Sequence, residues 1–410
     1  MDPERVKQQI YSLASFTASP GQGVTRLCFT PEEAQARDYI SQCMREAGLT
    51  VYTDAAGNLF GRREGLDSAA PVVMFGSHID SVRNGGMFDG IAGVVAALEV
   101  ARTIGQKGLV TRHPIEICAL TEEEGSRFGS GLYGSRAMVD GISPEELDRQ
   151  DSAGIRKGEA MQAFGLDPEK IHEARRKRGD IKAFLELHIE QGPILQRSGK
   201  VIGIVDYIVG IRVFKIKVTG SADHAGTTPM NARHDALVGA SLVVADVERI
   251  ALEVGSHAVA TVGSLHVKPG SFNVVPSTVE FTVDMRAPSN SALDLAEAKL
   301  SQTIERICRP RGVNYEIGRA LSVDPVPTSP QIASILERHA VGLGLPHMHV
   351  NSGAGHDAMV MAKIAPIGLV FVPSAGGKSH SPDEWTEFEH IAAGADLMLK
   401  TVLELAEVVQ

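Results

Sequence analysis

The stretch 71–104, PVVMFGSHIDSVRNGGMFDGIAGVVAALEVARTI, shows the structural pattern of the first half of the chain. Its apolar run at 71–77 is typical of a buried β-strand, and residues 90–105 predict a helix that is small or apolar nearly all round. Strands and helices continue to alternate on either side, with a helix predicted at 31–47 and strands at 113–123 and 180–192. This alternation predicts an α/β layer architecture with a mixed, largely parallel sheet.

The pattern changes after about residue 208, where residues 213–220, VFKIKVTG, alternate apolar and polar side chains as in a half-exposed antiparallel strand. The predicted elements that follow are a helix at 235–253, strands at 257–267 and 277–286, and a helix at 291–310. A helix at 332–344 and a buried strand at 367–373 then restore the earlier pattern. We therefore predict a catalytic domain of residues 1–207 and 326–410, interrupted by an inserted α+β domain of residues 208–325.

The composition limits the partners that this chain can have. Its 410 residues include 40 basic and 50 acidic side chains, a net charge of −10, which argues against nucleic acid or an anionic membrane. No apolar run approaches the ~20 residues of a membrane helix, and the N-terminal MDPERVKQQIYSL lacks the apolar core of a signal peptide. The cysteines are scattered without a CxxC pair, as expected for free thiols in a reducing compartment: Cys28, Cys43, Cys118 and Cys308. We predict a cytoplasmic protein that binds neither nucleic acid nor membrane.

Five candidate metal ligands lie in five separated segments: His78 in GSHIDS, Asp89 in GGMFDG, Glu124 in TEEEG, His188 in ELHIEQG and His380 in KSHSP. Two carboxylates and three imidazoles suit two divalent first-row metal ions that share one bridging carboxylate. Each residue alone is weak evidence, since a single histidine at a strand end is more often structural than ligating. Together they point to metal-assisted hydrolysis of a carbonyl compound, because a two-metal site activates water and holds the oxygens of the transition state.

Further carboxylates surround these candidates. Asp80 lies two residues after His78 and could orient its imidazole. Three adjacent glutamates, 122–124, end the strand predicted at 113–123, where neighbouring carboxylates are costly unless water or cations neutralise them. A solvated turn explains them equally well in isolation. Beside two metal ions, one glutamate could ligate while its neighbour serves as the general base, which takes a proton from water and delivers it to the leaving nitrogen.

The motifs GSHIDSVRNGGMFDG, TEEEGSRF, ELHIEQG, ADHAGTTPM and SGAGHDA…SHSPDEW together resemble the M20-type metallopeptidase superfamily, and more narrowly its hydantoinase/carbamoylase amidase branch. The resemblance runs from about residue 23 to the C-terminus, with the motifs in family order. It implies a homodimer whose di-metal catalytic domain is interrupted by a lid and dimerisation domain. Gly90 stands where many M20 peptidases have a second aspartate, a departure that is typical of the amidase branch.

The resemblance also implies roles for individual residues. The five candidates would ligate two divalent ions, Zn²⁺ or Mn²⁺ with Co²⁺ or Ni²⁺ also compatible, and Asp89 would bridge them. Glu123 would be the general base, with Asp80 as the carboxylate behind His78. The implied substrate contacts are Gln191, His224, Asn273, Arg286, Gly355 and His356.

The implied contacts of the inserted domain have a physical rationale. Arg286 can hold a carboxylate bidentately, and His224 and Asn273 can donate to the oxygen that becomes negative at the tetrahedral stage. In the family, the histidine at this position comes from the partner subunit, so dimerisation would complete the site. In the first domain, residues 352–358 could supply backbone N–H groups, and the role of His356, chemical or supporting, stays open.

The substrate class implied is a small ureido acid. HPIEICALTEEEGSRF and YGSRAM favour an N-carbamoyl-L-amino acid, which would yield the amino acid, ammonia and carbon dioxide. The glycine before the histidine in SGAGHDA favours allantoate instead, and 3-ureidopropionate is a further alternative. We predict an N-carbamoyl-L-amino-acid hydrolase. A non-catalytic binding protein of the same fold is disfavoured, because all five ligands and the base are present.

Overall fold

The computed structural model describes residues 1–255 and 257–409. Over these ranges the chain forms two compact units, the first made of Met1–Asp206 with the chain from Thr328 onward and the second lying between Tyr207 and Pro327. The strands are β1 (Thr50–Thr53), β2 (Leu59–Arg63), β3 (Val72–His78), β4 (Ile115–Leu120), β5 (Ile181–Ile189), β6 (Ile202–Ile208), β7 (Gly210–Thr219), β8 (Val259–Lys268), β9 (Thr278–Ala287), β10 (Asn314–Val323), β11 (Val326–Pro327), β12 (His347–Ser352) and β13 (Ile367–Val372).

The helices lie between these strands and at both ends of the chain. The α-helices are α1 (Pro3–Ala14), α2 (Pro31–Glu46), α3 (Ile91–Gln106), α4 (Tyr133–Val139), α5 (Pro144–Leu147), α6 (Lys157–Ala163), α7 (Ile194–Arg197), α8 (Ala236–Val254), α9 (Asn290–Cys308), α10 (Pro330–Gly342), α11 (Asp357–Met361) and α12 (Phe388–Leu405). Short 3₁₀ helices lie at Pro168–Ala174, Met230–Ala232, Arg309–Arg311 and Ala375–Gly377. Among the described residues, none of the helices combines the length and the apolar character needed to cross a bilayer.

The larger sheet is mixed, with the strand order β1-β2-β4-β3-β5-β13-β6-β11 and β12 also pairing with β6. Strands β4, β3, β5 and β13 run parallel, whereas the pairs β1/β2, β2/β4, β13/β6 and β11/β6 are antiparallel. Every residue of β3 is buried, as its apolar run predicts. Since the carboxyl ends of parallel strands lie at one edge of a sheet, residues at the ends of these four strands meet there.

Helix α3 packs directly on the parallel strands. Small residues allow this close approach, because a β-carbon at Gly93 would lie only 2.2 Å from the carbonyl oxygen of Leu187. Gly90 is the N-cap residue immediately before the helix. Its φ of 67° lies in the left-handed region, and an added β-carbon would lie 2.5 Å from Cε1 of His78. The first turn of α3 is therefore held against the end of β3.

The inserted unit contains an antiparallel sheet with the strand order β10-β7-β9-β8. Helices α8 and α9 cover one face of this sheet, and Phe214, Ile216 and Val218 on β7 are buried beneath them. Lys215 and Lys217 alternate with these residues and lie on the other face, which agrees with the alternation in the sequence.

Candidate metal centre

The five candidate ligands converge at the carboxyl edge of the parallel strands. His78 is the last residue of β3, and His188 is the penultimate residue of β5. Asp89 precedes α3, Glu124 follows β4, and His380 follows β13. The donor atoms lie within 4.8 Å of one another in three sets: His78, Asp89 and His188; His78, Glu123 and Glu124; and Asp89, Glu124 and His380.

Asp89 lies between two groups of donors. Its Oδ1 is 3.0 Å from Nε2 of His188 and 3.4 Å from Nε2 of His78. Its Oδ2 is 3.2 Å from Nε2 of His380. A carboxylate that turns one oxygen to each donor group has the arrangement needed to bridge two cations.

Glu124 carries a buried oxygen that is not satisfied by the protein. Its Oε1 makes no hydrogen bond to any described residue, although Nε2 of His380 lies 3.3 Å away. A buried carboxylate oxygen without a partner is costly. A divalent cation held by Glu124, Asp89 and His380 would satisfy this oxygen, and mixed imidazole and carboxylate donors suit zinc or manganese.

The electrostatics of the cluster favour positive charge. Burial opposes protonation of His78 and His188, yet hydrogen bonds to neighbouring carboxylates raise the pKa of both imidazoles. The adjacent carboxylates of Asp89 and Glu124 raise the pKa of His380 to about 10. Burial alone would raise the pKa of Asp89, but the surrounding imidazoles hold it well below its usual range. A site that stabilises imidazolium in this way also attracts metal cations, which bind in exchange for those protons.

Asp80 fixes the loop that carries Glu123 and Glu124. Its Oδ1 accepts the backbone N–H of Glu123 at 2.9 Å, and its Oδ2 accepts that of Glu124 at 3.1 Å. Nδ1 of His78 lies 3.1 Å from the carbonyl oxygen of Asp80 and 3.5 Å from its Oδ1. Asp80 thus orients the imidazole mainly through its backbone, while its carboxylate ties the loop after β4 to the end of β3.

Glu123, the predicted general base, adjoins the candidate ligands. Its Oε2 is 3.9 Å from Nε2 of His78, at the edge of the candidate ligand set. Burial, together with nearby carboxylates, raises the pKa of Glu123 well above its usual value, and the charge of His78 opposes this rise only in part. A raised pKa makes the carboxylate a stronger proton acceptor.

Three residues of the centre adopt left-handed backbone conformations that are uncommon outside glycine: Glu122 with φ of 52°, Gln191 with 58° and His380 with 54°. Such conformations persist only where surrounding contacts fix them, and they cluster at functional sites. The carbonyl oxygen of Glu122 accepts the backbone N–H of Tyr133 at 3.0 Å, and its side chain pairs with the fully buried Lys157, whose Nζ lies 2.8 Å from the glutamate Oε2.

Comparison with known proteins identifies the family of this chain. Residues 74–404 match the peptidase family M20/M25/M40. The chain belongs to this family. An N-carbamoyl-L-amino-acid amidohydrolase of Paenarthrobacter aurescens is 45% identical over 403 residues, which is 98% of each chain. An allantoate amidohydrolase of Escherichia coli (strain K12) is 34% identical over 405 residues, again 98% of each.

A solved structure of a hydantoinase/carbamoylase family amidase from Burkholderia multivorans is similar to this M20-family chain throughout. It is 40% identical, with a TM-score of 0.92, and the match covers 99% of this chain and 98% of that one. The resemblance to the M20 superfamily and its amidase branch is thereby confirmed, and so is the mixed α/β architecture.

Two predicted substrate contacts of this M20-family chain adjoin the ligands. Nε2 of Gln191 donates to Oδ2 of Asp89 at 2.9 Å. The ring of His356 packs edge-on against that of His188, with centroids 4.5 Å apart, and its Nε2 lies 2.8 Å from Oγ of Ser352. Burial and the neighbouring His188 lower the pKa of His356 well below its usual value. Gly355, also predicted, precedes it in the turn between β12 and α11.

His224 and Asn273 lie on two joined loops of the inserted unit, and both side chains are exposed within that unit. The backbone N–H of Ala225 donates to the carbonyl oxygen of Asn273 at 3.0 Å. Nδ1 of His224 accepts the backbone N–H of Gly226 at 3.0 Å. In the neutral imidazole, Nε2 is therefore the protonated nitrogen, as a hydrogen-bond donor to substrate requires.

Arg286 lies on β9 of the inserted unit, with its side chain 33% exposed. Its Nε and Nη2 donate to the two carboxylate oxygens of Asp284 at 3.0 and 3.1 Å. The guanidinium therefore already holds a carboxylate in the two-point manner predicted for substrate. A substrate carboxylate would have to share or replace this pairing.

Sequence reasoning missed two residues that support the centre. Glu384 accepts backbone hydrogen bonds from the Asp89 loop, and Lys157 is fully buried although it lies in a polar, poorly periodic stretch. Neither position carries a periodic or spacing signal. The one available hint for Glu384 is that it follows His380 by four residues within the SHSPDEW motif.

Proposed function

We propose that this chain is a metal-dependent amidohydrolase that cleaves the ureido C–N bond of N-carbamoyl-L-amino acids. The observation that carries the proposal is Asp89, which turns one carboxylate oxygen to His78 and His188 and the other to His380. Glu123 lies beside this arrangement, as hydrolysis requires. The N-carbamoyl-L-amino-acid amidohydrolase at 45% identity supports the substrate class more strongly than the allantoate amidohydrolase at 34%.

The protein residues would divide the chemistry among themselves. Metal ions held by the five ligands would polarise the substrate carbonyl and lower the pKa of water. Glu123 would take a proton from the attacking water and then deliver it to the leaving nitrogen. Asp80 would keep Glu123 in place through its hydrogen bond to the backbone N–H. One water is consumed, and the products are the amino acid, ammonia and carbon dioxide.

The inserted unit would bind the substrate as a lid. Arg286 would hold the α-carboxylate, while Nε2 of His224 and the amide of Asn273 would donate to the carbonyl oxygen as it gains charge. Gln191 and the backbone around Gly355 would contact the ureido group from the first unit. We further propose that the chain forms a homodimer through the inserted unit and that His224 serves the partner's centre.

We propose two divalent metal ions in each chain, with zinc or manganese as the first choices and cobalt or nickel compatible. The two donor groups that share Asp89 support this number. Their mixture of imidazole and carboxylate donors does not select one first-row metal over another. We also propose a cytoplasmic location, because all four cysteines are free thiols in the fold.

A side-by-side assay of ammonia release tests the proposed function. Purified enzyme supplied with Mn²⁺ or Zn²⁺ is given N-carbamoyl-L-methionine, allantoate or 3-ureidopropionate. We expect the highest kcat/KM with N-carbamoyl-L-methionine. A higher kcat/KM for allantoate would overturn the substrate assignment, and no turnover of any of the three with either metal would overturn the proposed activity.

A further inference from the structure

Glu384 connects two loops that carry metal-ligand candidates. Its side chain is buried, with 2% of the residue exposed. Oε1 accepts the backbone N–H groups of Phe88 at 3.0 Å and Asp89 at 3.1 Å. Oε2 accepts the hydroxyl of Ser379 at 2.7 Å, one residue before His380. One carboxylate therefore joins the loop before α3 to the loop after β13.

Ser379 continues this connection to the bridging candidate itself. Its Oγ lies 3.3 Å from Oδ2 of Asp89, and Nε2 of Gln191 lies 3.4 Å from the same hydroxyl. Oδ2 of Asp89 is the oxygen that faces His380, at 3.2 Å from Nε2. The contacts of Glu384 and Ser379 thus gather on the side of Asp89 that belongs to the second donor group.

The two donor groups differ in how the fold holds their histidines. His78 and His188 are strand residues whose side chains are only 2% exposed. His380 lies in a loop, with a left-handed φ of 54° and a side chain that is 51% exposed. The ladder of the sheet fixes the first two imidazoles, whereas the third depends on loop contacts such as those of Glu384.

The surroundings of Glu384 present three hydrogen-bond donors to its carboxylate. It accepts three hydrogen bonds and is packed against the backbone of Gly86, where an added β-carbon would lie 2.1 Å from Oε1. A glutamine could still accept from the two backbone N–H groups, but its NH₂ would face Ser379, whose hydroxyl would then have to accept rather than donate. An alanine would leave three donors without an acceptor. Trp385, the next residue, packs edge-on against Phe88 with ring centroids 5.4 Å apart, which keeps the two loops together.

We propose that Glu384 is a positioning residue that sets the affinity of the second metal position, formed by Asp89, Glu124 and His380. The first position, formed by His78, Asp89 and His188, does not depend on it to the same extent. This inference rests on the proposed function for the existence of two metal positions. Hydrogen-bond partners behind metal ligands typically change metal affinity by about 10–100-fold when mutated.

The test measures metal binding directly. Wild type, Glu384→Gln and the matched control Glu389→Gln, an exposed glutamate on α12, are stripped of metal and titrated with Mn²⁺. The readout is equilibrium stoichiometry by elemental analysis, with circular dichroism to verify folding. We expect two bound ions for wild type and control. For Glu384→Gln we expect one ion bound with nearly unchanged affinity and a second weakened by about 10–100-fold.

Kinetics at defined metal concentrations give an independent readout. Activity of Glu384→Gln should return as Mn²⁺ is raised, with KM for the ureido substrate unchanged, because the defect lies in metal occupancy. Ser379→Ala, which removes one hydroxyl and is a milder change, should weaken the second ion in the same direction but by less. Should Glu384→Gln fail to fold, Ser379→Ala still tests the inference.

Two outcomes would overturn the inference: equal affinities in Glu384→Gln and wild type, or an equal loss of both ions in the variant. If wild type itself binds fewer than two ions, the proposed di-metal function fails, and this result is read from wild type alone. Failure of the proposed di-metal function is therefore seen in wild type, whereas failure of the inference about Glu384 is seen only when wild type and variant are compared.

Discussion

The metal centre and the polar residues of the inserted unit are built differently. His78, Asp89 and His188 are almost completely buried and contact one another, so the fold holds them in place before any ligand arrives. His224 and Asn273 are exposed within their own unit. Burying carboxylates and imidazoles costs solvation free energy. Such burial is expected where a site must hold its side chains in a fixed geometry before the ligand binds. We therefore expect changes in the first region to affect metal binding and kcat, and changes in the second to affect KM.

Removal of metal should have the largest effect of all the changes considered. It acts on the metal centre and not on the exposed residues of the inserted unit. Dialysis against a chelator should reduce ureido hydrolysis to background and lower the thermal midpoint, because the folded state loses a bound ligand that stabilises it. A ligand present at 1,000 times its Kd stabilises a fold by about 4 kcal/mol. The measurements are activity, metal content and melting temperature before and after addition of Zn²⁺ or Mn²⁺. Full activity in protein shown to be metal-free would contradict the whole scheme.

Glu123→Gln should have the second largest effect. We expect kcat to fall by about 10²–10⁴-fold, which is the usual contribution of a general base. Metal stoichiometry should remain that of wild type, since Glu123 is not among the five proposed ligands. Glu389→Gln, exposed on α12, is the control and should keep wild-type kcat. Wild-type turnover by Glu123→Gln would refute the assigned base. A loss of metal together with kcat would make Glu123 a ligand instead.

Lys157→Met tests how much the buried ion pairs of Lys157, which lie behind the loop of Glu123 and Glu124, contribute to the free energy of unfolding. Lys157 is fully buried, with Nζ 2.8 Å from Glu122 and 3.2 Å from Glu146. Its removal leaves a buried carboxylate without its partner, which typically costs about 3–5 kcal/mol in the free energy of unfolding. Denaturant unfolding measures this loss, with Lys170→Met, 61% exposed, as the matched control. Equal stability of the two variants would show that the buried pair contributes nothing.

Arg286→Ala should have the smallest of these effects and should appear in KM. Loss of a charged hydrogen-bonding group costs about 1.5–3 kcal/mol, so KM for an N-carbamoyl amino acid should rise by roughly 10–100-fold with kcat nearly unchanged. Arg286→Lys should recover only part of the affinity, because an ammonium cannot bind a carboxylate with two parallel bonds. Arg309→Ala, 82% exposed in the same unit, is the control. An unaltered KM in Arg286→Ala would remove the proposed carboxylate clamp.

Apolar patterns predicted much of the fold. The strand predicted at 71–77 is β3, and the helix predicted at 90–105 is α3, because both are buried and apolar. Helix α1 was not predicted, although Val6, Ile10 and Leu13 have helical spacing and follow an Asp2 N-cap. Strand β10 was missed because nearly all of its residues are exposed, so it lacks an apolar face.

The candidate ligands could be predicted because their chemistry is visible in residue type and in the motifs around them. The contacts that hold them in place could not be predicted. Asp80 holds Glu123 and Glu124 through backbone N–H groups, an interaction that exists only once β3 and β4 lie side by side. Glu384 likewise acquires its partners only when the loop after β13 reaches the loop before α3. Such contacts depend on tertiary structure, and no local pattern encodes them.

The position of Trp385 has a practical consequence. It is the single tryptophan of the chain, it follows Glu384, and its ring contacts that of Phe88. Its fluorescence therefore comes from one place, beside the loops that hold Asp89 and His380. The protein carries its own optical probe, and the emission of Trp385 should report metal loading of each variant in real time, without a label or a substrate.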